Sequence, residues 1–189
     1  SRLRVNDAAE VGYILAKICK SIKNVNLSVI GFSAQENSKQ ARDKGINRRD
    51  EVDLRSIYDQ DESNNDLNRI LHLLPHGNNT DGFAIWYAAR HMASSKSAYK
   101  RKVIVVISDG SPNADEYGGD NAYDHVNLCR LDARRRFGVE TYAIGIDDAY
   151  TKRDGDRMYG AGNNIVIKDV KSSVGYLSRF LNQMSESVK

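Results

Sequence analysis

The sequence predicts an α/β protein: one domain with a mostly parallel central sheet and helices on both of its faces. Three observations predict it. Segments with apolar residues at three- and four-residue steps alternate with short aliphatic runs through most of the chain. The strongest run, Val103 to Ile107, is aliphatic at every position, as a strand covered on both faces would be. And 189 residues, 40% hydrophobic and 28% charged, suit a single ordinary core that needs no covalent staple.

The elements follow in order. Val5, Ala8, Ala9, Gly12, Leu15, Ala16, Cys19 and Ile22 form one face of a helix over about 5–23, broken by Asn24 and Asn26. Residues 26–32 then read as a strand. Residues 33–66 are polar and charge-mixed around a small apolar island, Leu54 to Tyr58, and read as a long surface insertion or loop. A short helix over 66–74 stops at Pro75 and Gly77. The turn-rich link His76 to Gly82 leads into a helix over 83–93. The strand Lys102 to Ile107 follows, then a loop over 108–121, a helix over 122–137, a strand over 139–146, a possible short helix over 149–158 and a last strand over 164–168. A C-terminal helix over 172–184 has Ser172 or Ser173 placed to cap it.

Composition excludes several function classes. The net charge of +3, from 28 basic and 25 acidic residues, is too small to point to nucleic acid. The basic runs at 100–102 and 134–136 read as solvated charge, and the second suits the end of a helix dipole. No apolar run approaches the roughly 20 residues that span a bilayer. No signal peptide is expected from the first residues, "SRLRVNDAAE", and the absence of an initial Met suggests a fragment or a processed chain. Cys19 and Cys129 lack CxxC spacing and read as buried free thiols, which fits a reducing, cytoplasmic compartment.

In an open parallel sheet, ligands bind beyond the carboxyl ends of the strands. Three predicted strands end at that edge: one near Ser33, one at Asp109, and one at Asp147 and Asp148. The helix start at Asn79, Thr80 and Asp81 joins them there, with the free amide groups of its first turn. These are hard oxygen donors, and the four histidines show no HxxxH spacing, so magnesium fits better than zinc. Each residue also has a plainer reading. Asp109 before Gly110 can be a turn acid, Asp81 and Thr80 can cap or charge-match their helix, and Asn79 can be a turn residue. Asp147 and Asp148 read as solvated loop acids, Trp86 and Tyr87 as helix-face residues, and His76 and His91 as structural. Residues 115–120, "DEYGGD", read as a rim that could shape partner choice.

"NNTDGFAIWYAARHM", then "VIVVISDGSP", then "VETYAIGI" resemble the von Willebrand factor type A (VWA) domain, and most closely the C-terminal domain of cobaltochelatase subunit CobT. The matching pieces are Asp81 to Ile85, Ile107 to Pro112, Ala143 to Ile146 and the island Leu54 to Tyr58, a set that spans most of the chain. The resemblance implies a Rossmann-like sheet with a metal-ion-dependent adhesion site (MIDAS) built from three loops. Asp109 matches the third loop. Asn79, Thr80 and Asp81 cover the second. The D-x-S-x-S of the first loop occurs nowhere in these residues. Its strand, the first and central one, is therefore expected upstream of Ser1. Magnesium, or manganese or calcium in its place, is expected to bind this chain weakly or not at all.

The resemblance implies a non-catalytic subunit or domain that engages an acidic group of a protein partner. In the resembled family that partner is an AAA+ ATPase, in a complex that inserts cobalt during cobalamin synthesis. The chain has no GxxxxGK[ST] loop, so ATP would bind the partner. An alternative from another class is a magnesium-dependent phosphohydrolase with Asp109 as nucleophile. It needs a second acid two residues on, where Ser111 stands.

Overall fold

The computed structural model describes residues 2–35, 51–61, 65–73, 78–94, 100–108, 110, 112–113, 118–146, 150–168 and 173–186. Helix α1 (Arg2–Ser21) ends where Asn24 takes a positive φ of 63°. Strand β1 (Ser28–Gln35) pairs antiparallel with β2 (Glu51–Asp59), with an irregularity between Val29 and Ile30. The expectation of a loop through 33–66 is thus corrected. Residues 33–35 extend β1, and the island at Leu54 to Tyr58 lies inside a nine-residue strand. The strand resembles a polar loop in sequence because its apolar residues alternate with charged ones, and Asp53 and Arg55 form an ion pair at its surface.

The segment expected as a helix over 66–74 is a 3-10 helix, Leu67–His72, whose Asp66 caps the amide of Asn68. It lays Leu67 and Ile70 against Ala16 of α1 and Tyr58 of β2. Helix α2 (Asp81–Ser94) precedes β3 (Lys102–Ser108). Helix α3 (Gly119–Phe137) stops at Gly138, which takes the left-handed conformation that an L side chain resists. Strand β4 (Val139–Ile146), helix α4 (Lys152–Tyr159), strand β5 (Asn164–Ile167) and helix α5 (Ser173–Glu186) complete the order. Ser173 is the first residue of α5, and its buried hydroxyl accepts no cap hydrogen bond among the described residues, so it does not cap that helix. Ser172 lies outside the described residues.

Strands β3, β4 and β5 form a parallel sheet in that order, and β1 and β2 form a separate antiparallel pair. Helices cover both faces of the parallel sheet. On one face Ile85 and Ala89 of α2, Val126 and Ala133 of α3, and Met158 and Tyr159 of α4 pack on Val106, Val139 and Ala143. On the other, Val11 and Leu15 of α1 and Leu177 and Phe180 of α5 pack on Tyr142, Ile144, Ile146 and Ile167. The register of β3 against β4 is reinforced at its start. Arg101 donates from Nε and Nη2 to the two oxygens of Glu140, 2.8 Å each, and the Tyr142 hydroxyl donates to the same carboxylate. The Arg101 guanidinium holds the Glu140 carboxyl below its ordinary range.

The burial of β3 departs from what its composition predicts. Only Val106 and Ser108 are buried, whereas seven of the eight residues of β4 are. The most apolar run of the chain lies at an edge of its sheet, with no described strand on its outer side. Two isolated bridges, Ala34 to Asn78 and Asn79 to Asn113, place the carboxyl end of β1 and the segment that follows β3 on one side of the molecule.

Candidate functional site

That side is where the second-loop residues stand. Asn79 is held by backbone hydrogen bonds in both directions with Asn113, at 3.1 Å each, and its Oδ1 also accepts from the Asn113 amide at 3.0 Å. Its Nδ2 donates to Asp81 Oδ1 at 3.1 Å. The bridge from Ala34 to Asn78 brings the end of β1, where Ser33 is buried, against the same short link. The structure thus brings Asn79, Thr80 and Asp81 together with the end of β1. Asp109, Asp147 and Asp148 lie outside the described residues, as do His76 and residues 115–117 of the acidic rim. Ser108, one residue before Asp109, is buried and its hydroxyl donates to the Gly110 carbonyl at 2.9 Å.

Thr80 is one of several described residues, with Thr141, Tyr150 and Ser173, whose hydroxyl is buried without a partner among them. It stands at the N-cap position of α2, and its carbonyl accepts the first helical bond, from Ala84 at 3.2 Å. A threonine there normally turns its hydroxyl onto a first-turn amide. The Thr80 hydroxyl has no hydrogen-bond partner among the described residues, although the side chain is only 1% exposed. Leaving a buried hydroxyl idle costs about 1–3 kcal/mol.

Asp81 follows it, fully buried at the positive end of the α2 dipole, where a carboxylate is favoured. Its second oxygen faces the Tyr159 hydroxyl at 3.5 Å, the outer limit of a hydrogen bond. Tyr150 also feels this carboxylate. Burial, and then the negative charge of Asp81, push the Tyr150 phenol well above its ordinary value. Its hydroxyl is buried without a partner among the described residues. The ring fits because β4 carries Gly145 beneath it: a Cβ there would meet the ring at 2.0 Å. Sequence reasoning missed both tyrosines. The available signal was a glycine inside the apolar strand "AIGI" five residues before Tyr150, the mark of a close approach.

The plainer readings are also located. Trp86 is half-buried, packed edge-on against Phe137, and its indole donates to Asp132. Tyr87 and His91 are exposed on α2. Both cysteines are free thiols, Cys129 buried and Cys19 partly so. Among the described residues no three His, Cys, Asp or Glu side chains gather as a metal cluster. An oxygen site of this kind would draw on Thr80, Asp81 and a strand-end acid instead. The idle Thr80 hydroxyl fits such a cation as a neutral donor. No described helix is long and apolar enough to cross a membrane.

Comparison with known proteins supports the architecture. The family model for the von Willebrand factor type A domain matches residues 13–176. Among solved structures the chain is similar to proximal thread matrix protein 1 from the mussel byssus, in several crystal structures. The TM-score is 0.62 at 13% identity, over 95% of this chain and 43% of that one. One of those structures is described as having a zinc-occupied MIDAS motif. At this identity the likeness shows the fold, and the chain spans less than half the length of those proteins. A search of curated proteins returned no match.

Proposed function

Since the chain belongs to the von Willebrand factor type A domain family, we propose that it is a non-catalytic interaction module that grips an acidic group of a partner protein through a divalent cation. The observation that carries this reading is the Thr80 hydroxyl, buried at a helix N-cap and left idle among the described residues. Thr80 would bind the cation directly. Asp81 would contribute its carboxylate or hold the waters around the ion, Asn79 would fix Asp81 by their hydrogen bond, and Asp109 would enter from the end of β3. When bound, the cation supplies an open coordination position for the partner's carboxylate. Magnesium is the proposed ion, with manganese or calcium as substitutes.

The ligand set is incomplete, because no D-x-S-x-S occurs in these residues. The proposed remedy is a strand seated beside the outer edge of β3, carrying those ligands to the same end of the sheet. The edge of β3 that has no strand neighbour among the described residues, and its half-buried aliphatic side chains, support this, since a long apolar edge is otherwise a pairing hazard. At the finer level, the resemblance of four sequence pieces to CobT is what points to an AAA+ ATPase as partner, in a cobaltochelatase-like complex of the cytoplasm.

Calorimetric titration with magnesium tests the reading. The chain alone should bind weakly, and a synthetic peptide bearing a D-x-S-x-S strand should raise the affinity in a manner lost on Thr80→Val. Tight, stoichiometric binding without the peptide would overturn the incomplete site. No binding with it would overturn the cation reading. Failure to recover an AAA+ ATPase by pull-down, from cells that contain one, would count against the finer proposal.

A further inference from the structure

Away from this site, the outer surface of α2 and α3 carries an apolar groove of about 990 Å³. Of the eight large apolar side chains exposed among the described residues, four lie here: Phe83 and Tyr87 on α2, Leu128 and Leu131 on α3. Their spacing of four on one helix and three on the other puts each pair on a single face. Leu128 is 62% exposed and Tyr87 57%, so these residues do not serve the core beneath them. Trp86 also lines the groove, fixed by its bond to Asp132. Phe83 packs against His125 with the rings tilted by 51° and their centres 4.5 Å apart.

The charge around the groove is net positive. Arg134 and Arg135 line it, and Arg90 lies over the Trp86 ring at 5.5 Å. The single acid in the lining, Asp132, is already engaged by Arg135, Arg136 and Trp86. These contacts hold its carboxyl below its ordinary range. What remains is an aromatic and aliphatic trough with a cationic margin. The run from His125 to Arg135 extends about 15 Å along α3 at the helical rise.

We propose that this groove docks an acidic amphipathic helix of a partner protein, about three turns long, with apolar residues toward the trough and carboxylates toward Arg90, Arg134 and Arg135. Apolar anchors at helical spacing are how a helix lies in a groove, and the cationic margin selects an acidic one. The surface is separate from the cation site, so binding here needs no metal.

The chain has one tryptophan, and it lines the groove, so intrinsic fluorescence reports occupancy directly. The probe is a synthetic helical peptide with Leu and Phe at i, i+3, i+4 and i+7 and Glu elsewhere, titrated against the full 189-residue chain in EDTA. Its counterpart has Lys in place of Glu. The acidic peptide should shift the Trp86 emission saturably and bind more weakly as salt rises. Replacing Leu128→Asn should weaken it by about tenfold or more, as loss of a buried anchor does. The double change Arg134→Glu and Arg135→Glu should weaken it by about tenfold and favour the Lys peptide. All three replaced side chains are exposed, and circular dichroism checks that the variants fold. Equal binding of the two peptides, or none of either, would overturn the proposal. So would a self-associated chain in sedimentation that Leu128→Asn makes monomeric, since a second copy would then be the occupant.

Discussion

Replacing Thr80→Val tests the centre of the site without any metal. Valine keeps the branched shape and puts a methyl group in place of the hydroxyl. In an ordinary N-cap this change costs about 1 kcal/mol, because a first-turn amide loses its acceptor. Here the hydroxyl caps nothing and is buried without a partner among the described residues. Removing it therefore relieves a desolvation cost, and Thr80→Val should stabilise the chain by about 1–2 kcal/mol in EDTA. For a chain of this length that is a rise of about 2–8 °C in Tm. Thr80→Ser, which keeps the hydroxyl and loses a buried methyl, should instead destabilise by about 1 kcal/mol. Urea denaturation of the three proteins, followed by circular dichroism, gives both numbers. Cation binding should offset this gain. With a Kd near 1 mM, about 10 mM magnesium would add about 1.4 kcal/mol to the wild type and nothing to the valine variant. A loss of 1 kcal/mol or more for Thr80→Val in EDTA would refute the reasoning, because the hydroxyl would then have a protein partner.

Gly145→Ala should cost about 3 kcal/mol or more, because its Cβ would sit 2.0 Å from the buried Tyr150 ring; urea denaturation measures it, and a loss under about 1 kcal/mol would mean that the ring lies elsewhere. Burial, helped by Asp132, pushes the Cys129 thiol up to about 11, and burial also raises Cys19. Near pH 8 both thiols should react with a disulfide reagent at least about tenfold more slowly in the folded chain than in urea. Burial holds His125 below its ordinary value. The unfolded chain then takes up the proton first as pH falls, so the His125 contribution is intact above about pH 6.5 and declines on acidification through that value. His125→Gln should flatten the decline in stability between about pH 7 and 5, as read from urea midpoints.

The helices and the parallel strands were legible because each carries its period in its own residues. Strand β4 falls where its apolar run predicts, at Val139–Ile146, and the turn that precedes it announces itself through Gly138. Strand β2 was hidden because an antiparallel strand with one solvated face carries Asp53 and Arg55 between its apolar positions, and so resembles a polar loop. The start of α2 at Asp81 was legible because a helix start has a local signature. The surroundings of Asp81 were not, because they are made by Tyr150 and Tyr159, some seventy residues along the chain. A sequence names the residues at a strand end, but their desolvation is decided by what the distant chain lays over them.

The same contrast explains β3. Its composition asks for a strand with neighbours on both edges and helices on both faces, and among the described residues it has a strand neighbour on one edge only. Five consecutive aliphatic residues are an expensive choice for an edge, since burying a single such side chain is worth about 1.5–3 kcal/mol and an exposed apolar edge invites aggregation. Strand β4, with a glycine and two polar residues among its eight, is nevertheless the better buried of the two. The mismatch is resolved if β3 acquires a second strand neighbour when the module is at work. A strand laid parallel to β3 on this edge would end on the side of the molecule where Asn79 bridges Asn113, so under the proposed function the requirement of the core and that of the cation would be met by one event. Sheet completion and ligand completion would then be linked, and a partner strand that stabilised the fold would raise cation affinity by the same interaction.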